Sequence, residues 1–188
     1  MKLLSLAFAG VLAAASLAAS VASAADEFLK IQLKDGPVVI QLMPDVAPKH
    51  VAQIKKLAAD GKYDNVAFHR VINGFMAQTG DVQFGNMTKG FDPRRAGMGG
   101  SDLPNIPAEF SKVPFTRGTV GMARSQDPNS ANSQFFIMFA DGPFLNGQYT
   151  VVGKVVSGME FVDKIKRGQG GNGEVTDPDR MVKVTVGK

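Results

Sequence analysis

Alternation of apolar and polar residues with a period of two is the feature that most restricts the fold of this chain. Leu29, Ile31 and Leu33 alternate with Lys30, Gln32 and Lys34, Asp35-Gly36 turns the chain, and Val38, Ile40 and Leu42 resume the pattern. Successive side chains of a strand point to opposite faces, so this segment predicts a β-hairpin with one buried face. Further strands are expected over residues 66–72, 75–78, 119–123, 134–139, 151–156 and 181–186. Seven or eight strands in one domain favour a closed barrel or a sandwich, because closure removes edges that would otherwise pair with other chains.

Two helices are expected to interrupt the strands and cap the barrel. Pro48 suits a first helical position, Val51, Ile54, Leu57 and Ala58 then form an apolar stripe, and Gly61 can end the helix in a left-handed cap. The second is expected over residues 158–167. Met159, Val162 and Ile165 share one face there, Lys164, Lys166 and Arg167 sit at the negative end of the helix dipole, and Gly168 follows. Residues 86–114 are rich in Gly and Pro with weak periodicity, as a long functional loop is.

Met1 and Lys2 precede an uncharged stretch, residues 3–25, that is apolar through Ala19 and closes on Ala22-Ser23-Ala24. A short positive end, an apolar centre and small residues two apart before a cut are what export signals require. Residues 1–24 are therefore read as a signal peptide, cut after Ala24 or Ala25, and residues 26–188 as one domain. A retained membrane anchor is the alternative for a stretch of this length, but the run is Ala/Ser-rich and ends in a processing signal. The expectation is an exported monomer, periplasmic in a bacterium, with no stable membrane insertion once the signal is removed.

Composition narrows the chemistry. The 188 residues contain no Cys, no Trp and two His. Without Cys, thiol nucleophiles, Cys-bound zinc, Fe–S clusters and disulfides are excluded, and two distant His leave little for a His-built metal site. No cofactor is expected. Lys and Arg number 21 against 17 Asp and Glu, a net charge of +4, but the basic residues are scattered. A nucleic-acid binder concentrates its charge on one face and interleaves aromatics, so nucleic acid is not an expected partner. Gly168 to Gly173 spell G-x-G-x-x-G, yet the motif follows a helix and precedes coil, where its amides would not meet a pyrophosphate; it reads as a flexible turn.

Two segments carry residues that scaffold logic leaves unused. Around Asn73-Gly74, a hairpin signal, a two-residue loop would set Arg70 opposite Ala77, whereas a three-residue loop would set it opposite Gln78 with Met76 on the same side. Only the second register groups a cation, an amide and a soft apolar side chain. In the other segment, alternation puts Gln134, Phe136 and Met138 on one face and Phe135, Ile137 and Phe139 on the other.

The sequence resembles the cyclophilin family of peptidyl-prolyl cis/trans isomerases. The resemblance rests on Phe68-His69-Arg70-Val71-Ile72 with Gly74-Phe75-Met76 and Gln78, then Met122-Ala123 with Ser133-Gln134-Phe135-Phe136 and Phe144-Leu145, and it extends over about residues 28–188. It implies a mainly β fold, a closed eight-stranded antiparallel barrel capped by two α-helices, with a peptide groove on its outer surface. It further implies a catalytic guanidinium at Arg70 and a proline pocket of Phe75, Met76, Phe136 and Leu145. Gln78, Ala123, Arg124 and Gln134 would line the peptide path, and Phe144 and Tyr149 would add substrate contacts. The implied partners are proline-containing polypeptides, unfolded or partly folded. Phe144 stands where many cyclosporin-sensitive members have Trp, Tyr149 where many eukaryotic members have His, and Arg124 where they have Asn. Two other functions remain open: a proline-peptide-binding chaperone with little turnover, and a carrier of a small apolar ligand in the barrel lumen, against which the large inward residues argue.

Overall fold

The computed structural model describes residues 27–187; the signal peptide read at residues 1–24 lies outside the described residues. The strands are β1 (Phe28–Gln32), β2 (Pro37–Leu42), β3 (Val66–Ala67), β4 (Arg70–Ile72), β5 (Met76–Thr79), β6 (Thr119–Met122), β7 (Phe135–Met138), β8 (Val151–Ser157), β9 (Arg180–Met181) and β10 (Lys183–Gly187). Helix α1 spans Pro48–Ala59, α2 spans Met159–Val162, and a 3-10 turn covers Pro143–Leu145.

Eight strands form one antiparallel sheet in the order β10-β1-β2-β8-β6-β7-β5-β4. Among the described residues the main ladder does not join β4 to β10. The seam is spanned instead by a separate two-residue ladder, β3 with β9, whose strands precede β4 and β10 in the chain. The ring anticipated as closed is thus an open ladder with a short splice over its gap. Breaks in register between Val39 and Ile40 and between Val120 and Gly121 add the local twist that curving such a sheet requires.

The stretch expected as one strand over residues 66–72 is split at Phe68 and His69, which are both buried but whose backbone groups pair elsewhere. Both leave the main ladder: Phe68 N–H donates to the Asp179 carbonyl (2.8 Å), and the His69 carbonyl accepts from Val175 N–H (3.1 Å). The second helix is much shorter than the periodicity suggested. After Val162 the bonds tighten to Lys164 N–H on the Phe161 carbonyl and Ile165 N–H on the Val162 carbonyl. The next amides are taken by tertiary partners, Lys166 N–H by the Asp179 carboxylate and Gly168 N–H by the Val71 carbonyl. Ile165 nevertheless reaches the core, as its spacing implied.

Helix α1 follows its pattern closely. Pro48 begins it, Gly61 beyond its end adopts a φ of 66°, and Val51, Ile54, Leu57 and Ala58 are buried in the interior. Its first turn has no side-chain cap of its own. The Glu109 carboxylate from the long loop accepts the Lys49 and His50 amides (3.1 Å each to Oε2) and the His50 ring Nδ1–H (2.6 Å). Burial lowers the His50 pKa below its ordinary value, against the opposing pull of Glu109. The interior is filled by inward residues from every wall, including Ile31, Ile40, Val71, Phe135, Ile137 and Val184, so the lumen is packed core.

Candidate active site

A second apolar cluster lies on the outer face of the same sheet. Met76, Phe115, Phe136, Met138, Leu145 and Val151 form it, with Phe75, Ala123 and Tyr149 partly buried against it. Pairing explains why these side chains meet. Arg70 faces Gln78, Gln78 faces Phe136, and Phe136 faces Gly121, giving one row across β4, β5, β7 and β6. The next row on that face is Ile72, Met76 and Met138. The hairpin thus adopts the three-residue loop Asn73-Gly74-Phe75, with Gly74 at a φ of 71° that a side chain would resist.

The row has a deliberate gap. A Cβ on Gly121 would sit 2.6 Å from both Phe115 and Phe136, so only glycine lets these rings stack with centroids 5.7 Å apart. Phe136 also meets the Tyr149 ring edge-on at 5.8 Å. Above them opens a cavity of about 480 Å³ lined by Arg70, Phe75, Met76, Gln78, Ala123, Arg124, Phe136, Phe144, Leu145, Gln148 and Tyr149. Every residue nominated from the sequence lines it except Gln134, and Gln148 is an addition. Phe144 is 67% exposed at its lip and tilts against Phe75, centroids 5.5 Å apart.

Arg70 is clamped from two sides. Its Nε–H donates to the Asn172 carbonyl (2.9 Å) and its Nη1–H to Gln78 Oε1 (3.3 Å); Nη2 has no hydrogen-bond partner among the described residues. The orientation of Gln78 is settled further along. Its Nε2–H donates to Gln134 Oε1 (3.0 Å), and Gln134 Nε2–H donates to the carbonyls of Gly97 (3.0 Å) and Gly99 (2.7 Å). Two backbone acceptors therefore fix the Gln134 amide, which fixes Gln78, which presents an oxygen to the guanidinium. The loop is held in turn by buried Asp81, whose carboxylate accepts the Gln83, Phe84, Gly97 and Gly99 amides at 2.7–3.0 Å.

The Gly-rich segment expected to be a flexible turn is part of this clamp. Val71 N–H donates to the Gly173 carbonyl (2.7 Å) and Gly168 N–H to the Val71 carbonyl (2.8 Å), which ties the segment along the edge of β4. A Cβ at Gly173, where φ is 69°, would lie 2.4 Å from Ile72, so glycine permits the approach that delivers the Asn172 carbonyl to Arg70. Asp81, Phe115, Gly121 and Asn172 were missed in the sequence because each acts through a contact between distant segments.

The arrangement sets a held guanidinium beside a cavity with an apolar floor, which is chemically able to take an apolar group next to a charged hydrogen-bond donor. Comparison with known proteins places the chain. The profile described as "Cyclophilin type peptidyl-prolyl cis-trans isomerase/CLD" matches residues 28–186. A "Probable peptidyl-prolyl cis-trans isomerase" of Brucella suis biovar 1 is 69% identical over 172 residues, covering 90% of this chain and 88% of the relative. Peptidyl-prolyl cis-trans isomerase B of Escherichia coli is 40% identical over 139 residues, covering 70% and 79%. A Cryptosporidium parvum cyclophilin type peptidyl-prolyl cis-trans isomerase, crystallised in the presence of the dipeptide Ala-Pro, superposes with a TM-score of 0.72 at 27% identity over 86% of this chain and 99% of that one. The chain belongs to the cyclophilin-type peptidyl-prolyl cis/trans isomerases.

Proposed function

We propose that the chain accelerates rotation about Xaa-Pro bonds in folding polypeptides by a non-covalent mechanism in which Arg70 is the catalytic donor. Amide resonance opposes this rotation with a barrier of roughly 18–20 kcal/mol. As the bond twists, resonance is lost and the proline nitrogen acquires a localised lone pair. Nη2 of Arg70, with no partner among the described residues, can donate a hydrogen bond to it. This interaction is stronger in the twisted state than in either planar isomer, which is the condition for lowering the barrier.

Phe75, Met76, Phe136 and Leu145 would take the pyrrolidine ring and keep water from the donor, which strengthens the bond. Gln78 and Gln134 would hold the guanidinium in place and the flanking peptide on its path. An acceleration of five decades asks for about 7 kcal/mol, within reach of a charged donor and fixed orientation acting together. The clamping of Arg70 by Asn172 and Gln78 at the mouth of an apolar cavity is the observation that carries this reading.

The setting proposed for the reaction is outside the cytoplasm, periplasmic in a bacterium, with the domain acting as a monomer. The sequence of residues 1–24 supports export. N-terminal sequencing of protein recovered from a cell-envelope fraction should begin at Ala25 or Asp26.

Assay of the full chain on a proline peptide tests the enzymatic reading: cis/trans relaxation accelerates in proportion to protein added, and an unchanged rate refutes it. Exposed Phe144 and Met98 beside the groove favour a second reading, a binder of unfolded chains with little turnover. Arg70→Ala would then still suppress aggregation of a client while the intact protein left relaxation unaltered.

A further inference from the structure

A second cavity of about 380 Å³ adjoins the first and shares Gln78, Ala123 and Arg124 with it; Gly97, Met98, Asn132 and Gln134 are among its other walls. No acidic residue lines either cavity, whereas each is lined by Arg124 and the first also by Arg70. Arg124 is held without being neutralised. Its Nε–H and Nη2–H donate to the Gln148 carbonyl (3.3 and 2.8 Å), its Nη1–H groups to the carbonyls of Ser125 (2.9 Å) and Gln126 (3.4 Å), and its guanidinium lies 4.5 Å from the Tyr149 ring centre. Neutral acceptors and a ring face orient the cation, yet leave its charge intact.

Arg117 shows the contrast. It meets the Asp163 carboxylate with two bonds, at 2.9 and 2.6 Å. Among the described residues, neither Arg124 nor Arg70 has a carboxylate within 4.0 Å. Two oriented cations along a cleft whose lining includes no carboxylate favour a bound chain that brings negative charge to them.

We infer that the groove selects proline segments carrying Asp or Glu within two residues of the proline, with Arg124 as the specificity-determining cation. This rests on the isomerase reading above. An extended peptide advances about 3.3 Å per residue. A proline seated over Phe136 therefore brings a side chain one or two residues away over the shared wall of Gln78, Ala123 and Arg124. Arg124 is half-exposed, so the discrimination is modest: about two- to fivefold for a single charge, and weaker in salt.

The test uses the full chain and peptides that differ only in bearing Glu, Gln or Lys at each of the two positions before and after proline. At low ionic strength, kcat/KM is expected to rank Glu over Gln over Lys at one or more positions, with the spread narrowing as salt is added. Arg124→Gln should collapse the ranking and Arg124→Glu should invert it; if Arg124→Glu does not fold, the Arg124→Gln comparison decides alone. Equal rates for the Glu and Lys peptides at all positions, or a ranking that survives Arg124→Gln, overturns the inference while leaving isomerisation of the Gln peptide intact. Failure to turn over the Gln peptide at all refutes the isomerase reading and this inference with it.

Discussion

Strands β5, β6 and β7 are apolar on both faces, but the two faces are finished differently. On the inner face Ala77, Val120, Phe135 and Ile137 meet side chains from the opposite wall and from α1, and packing is complete. On the outer face Met76, Phe136 and Met138 pack with Phe115, Leu145 and Val151, and Met76, Phe136 and Leu145 also border the 480 Å³ cavity. The outer cluster is a small core left open on one side. Adjacent residues therefore have different duties: Phe135 holds the barrel together, and Phe136 forms the floor of the site.

The contrast is most sharply tested where the outer face carries charge. Arg70→Ala is expected to lower kcat/KM by about two to three decades, the usual loss when a preorganised donor is removed. Its melting temperature should stay near that of the wild type, because the side chain is only half-buried. Parallel losses of activity and melting temperature would mean that Arg70 serves the fold instead.

The neighbouring phenylalanines give the next largest effects. Phe135→Ala should cost about 3–5 kcal/mol in denaturant unfolding, as large-to-small changes in a filled core do, with near-normal kcat/KM per folded molecule. Phe136→Ala should lose at least about tenfold in kcat/KM with a smaller stability cost, since its ring borders space that is already open. If both variants lose activity equally, the division between faces is wrong.

A smaller effect is expected one step behind the donor. Gln134→Leu keeps the volume but can neither bond the Gly97 and Gly99 carbonyls nor accept from Gln78. It should lower kcat by about tenfold with KM changed less, because it loosens the guanidinium more than the pocket. A change confined to KM would place Gln134 with the peptide contacts.

The smallest effect concerns pH. Burial lowers the pKa of both His50 and His69 below the ordinary value of 6.5. The unfolded chain then binds protons more readily, so stability is greatest above about pH 6.5 and declines as pH falls toward the folded-state values. Glu109 acts in the same direction at lower pH: burial pushes its carboxyl up, but the His50 ring and the His50 and Lys49 amides together hold it below 4.5. Calorimetry from pH 8 to 5 should show a falling melting temperature with little change above 7, and a rise on acidification would contradict these assignments.

The inner face was readable because burial leaves a period-two trace, which placed Phe135, Ile137 and Phe139 inward and Phe136 and Met138 outward as found. The Arg70 register was not readable, since Asn73-Gly74 suits a two-residue turn as well as the three-residue loop observed. The clamp was less visible still. Asn172 acts through a backbone carbonyl, Gly121 by lacking a side chain, and Asp81 by gathering amides from segments up to 18 residues away. Such roles depend on long-range proximity, and neither composition nor periodicity encodes it. The second helix failed for the same reason, because tertiary partners claimed the amides that its pattern would have paired.

The central claim is that Arg70 accelerates rotation of a bound Xaa-Pro bond, beyond any part in binding. Exchange NMR on a proline peptide in the presence of the full chain measures cis/trans interconversion on the protein separately from affinity. Arg70→Ala is expected to bind the peptide within a few-fold of wild type while the on-protein rotation rate falls by at least about a hundredfold. Rotation at the wild-type rate in that variant, with the loss appearing only in affinity, would contradict it.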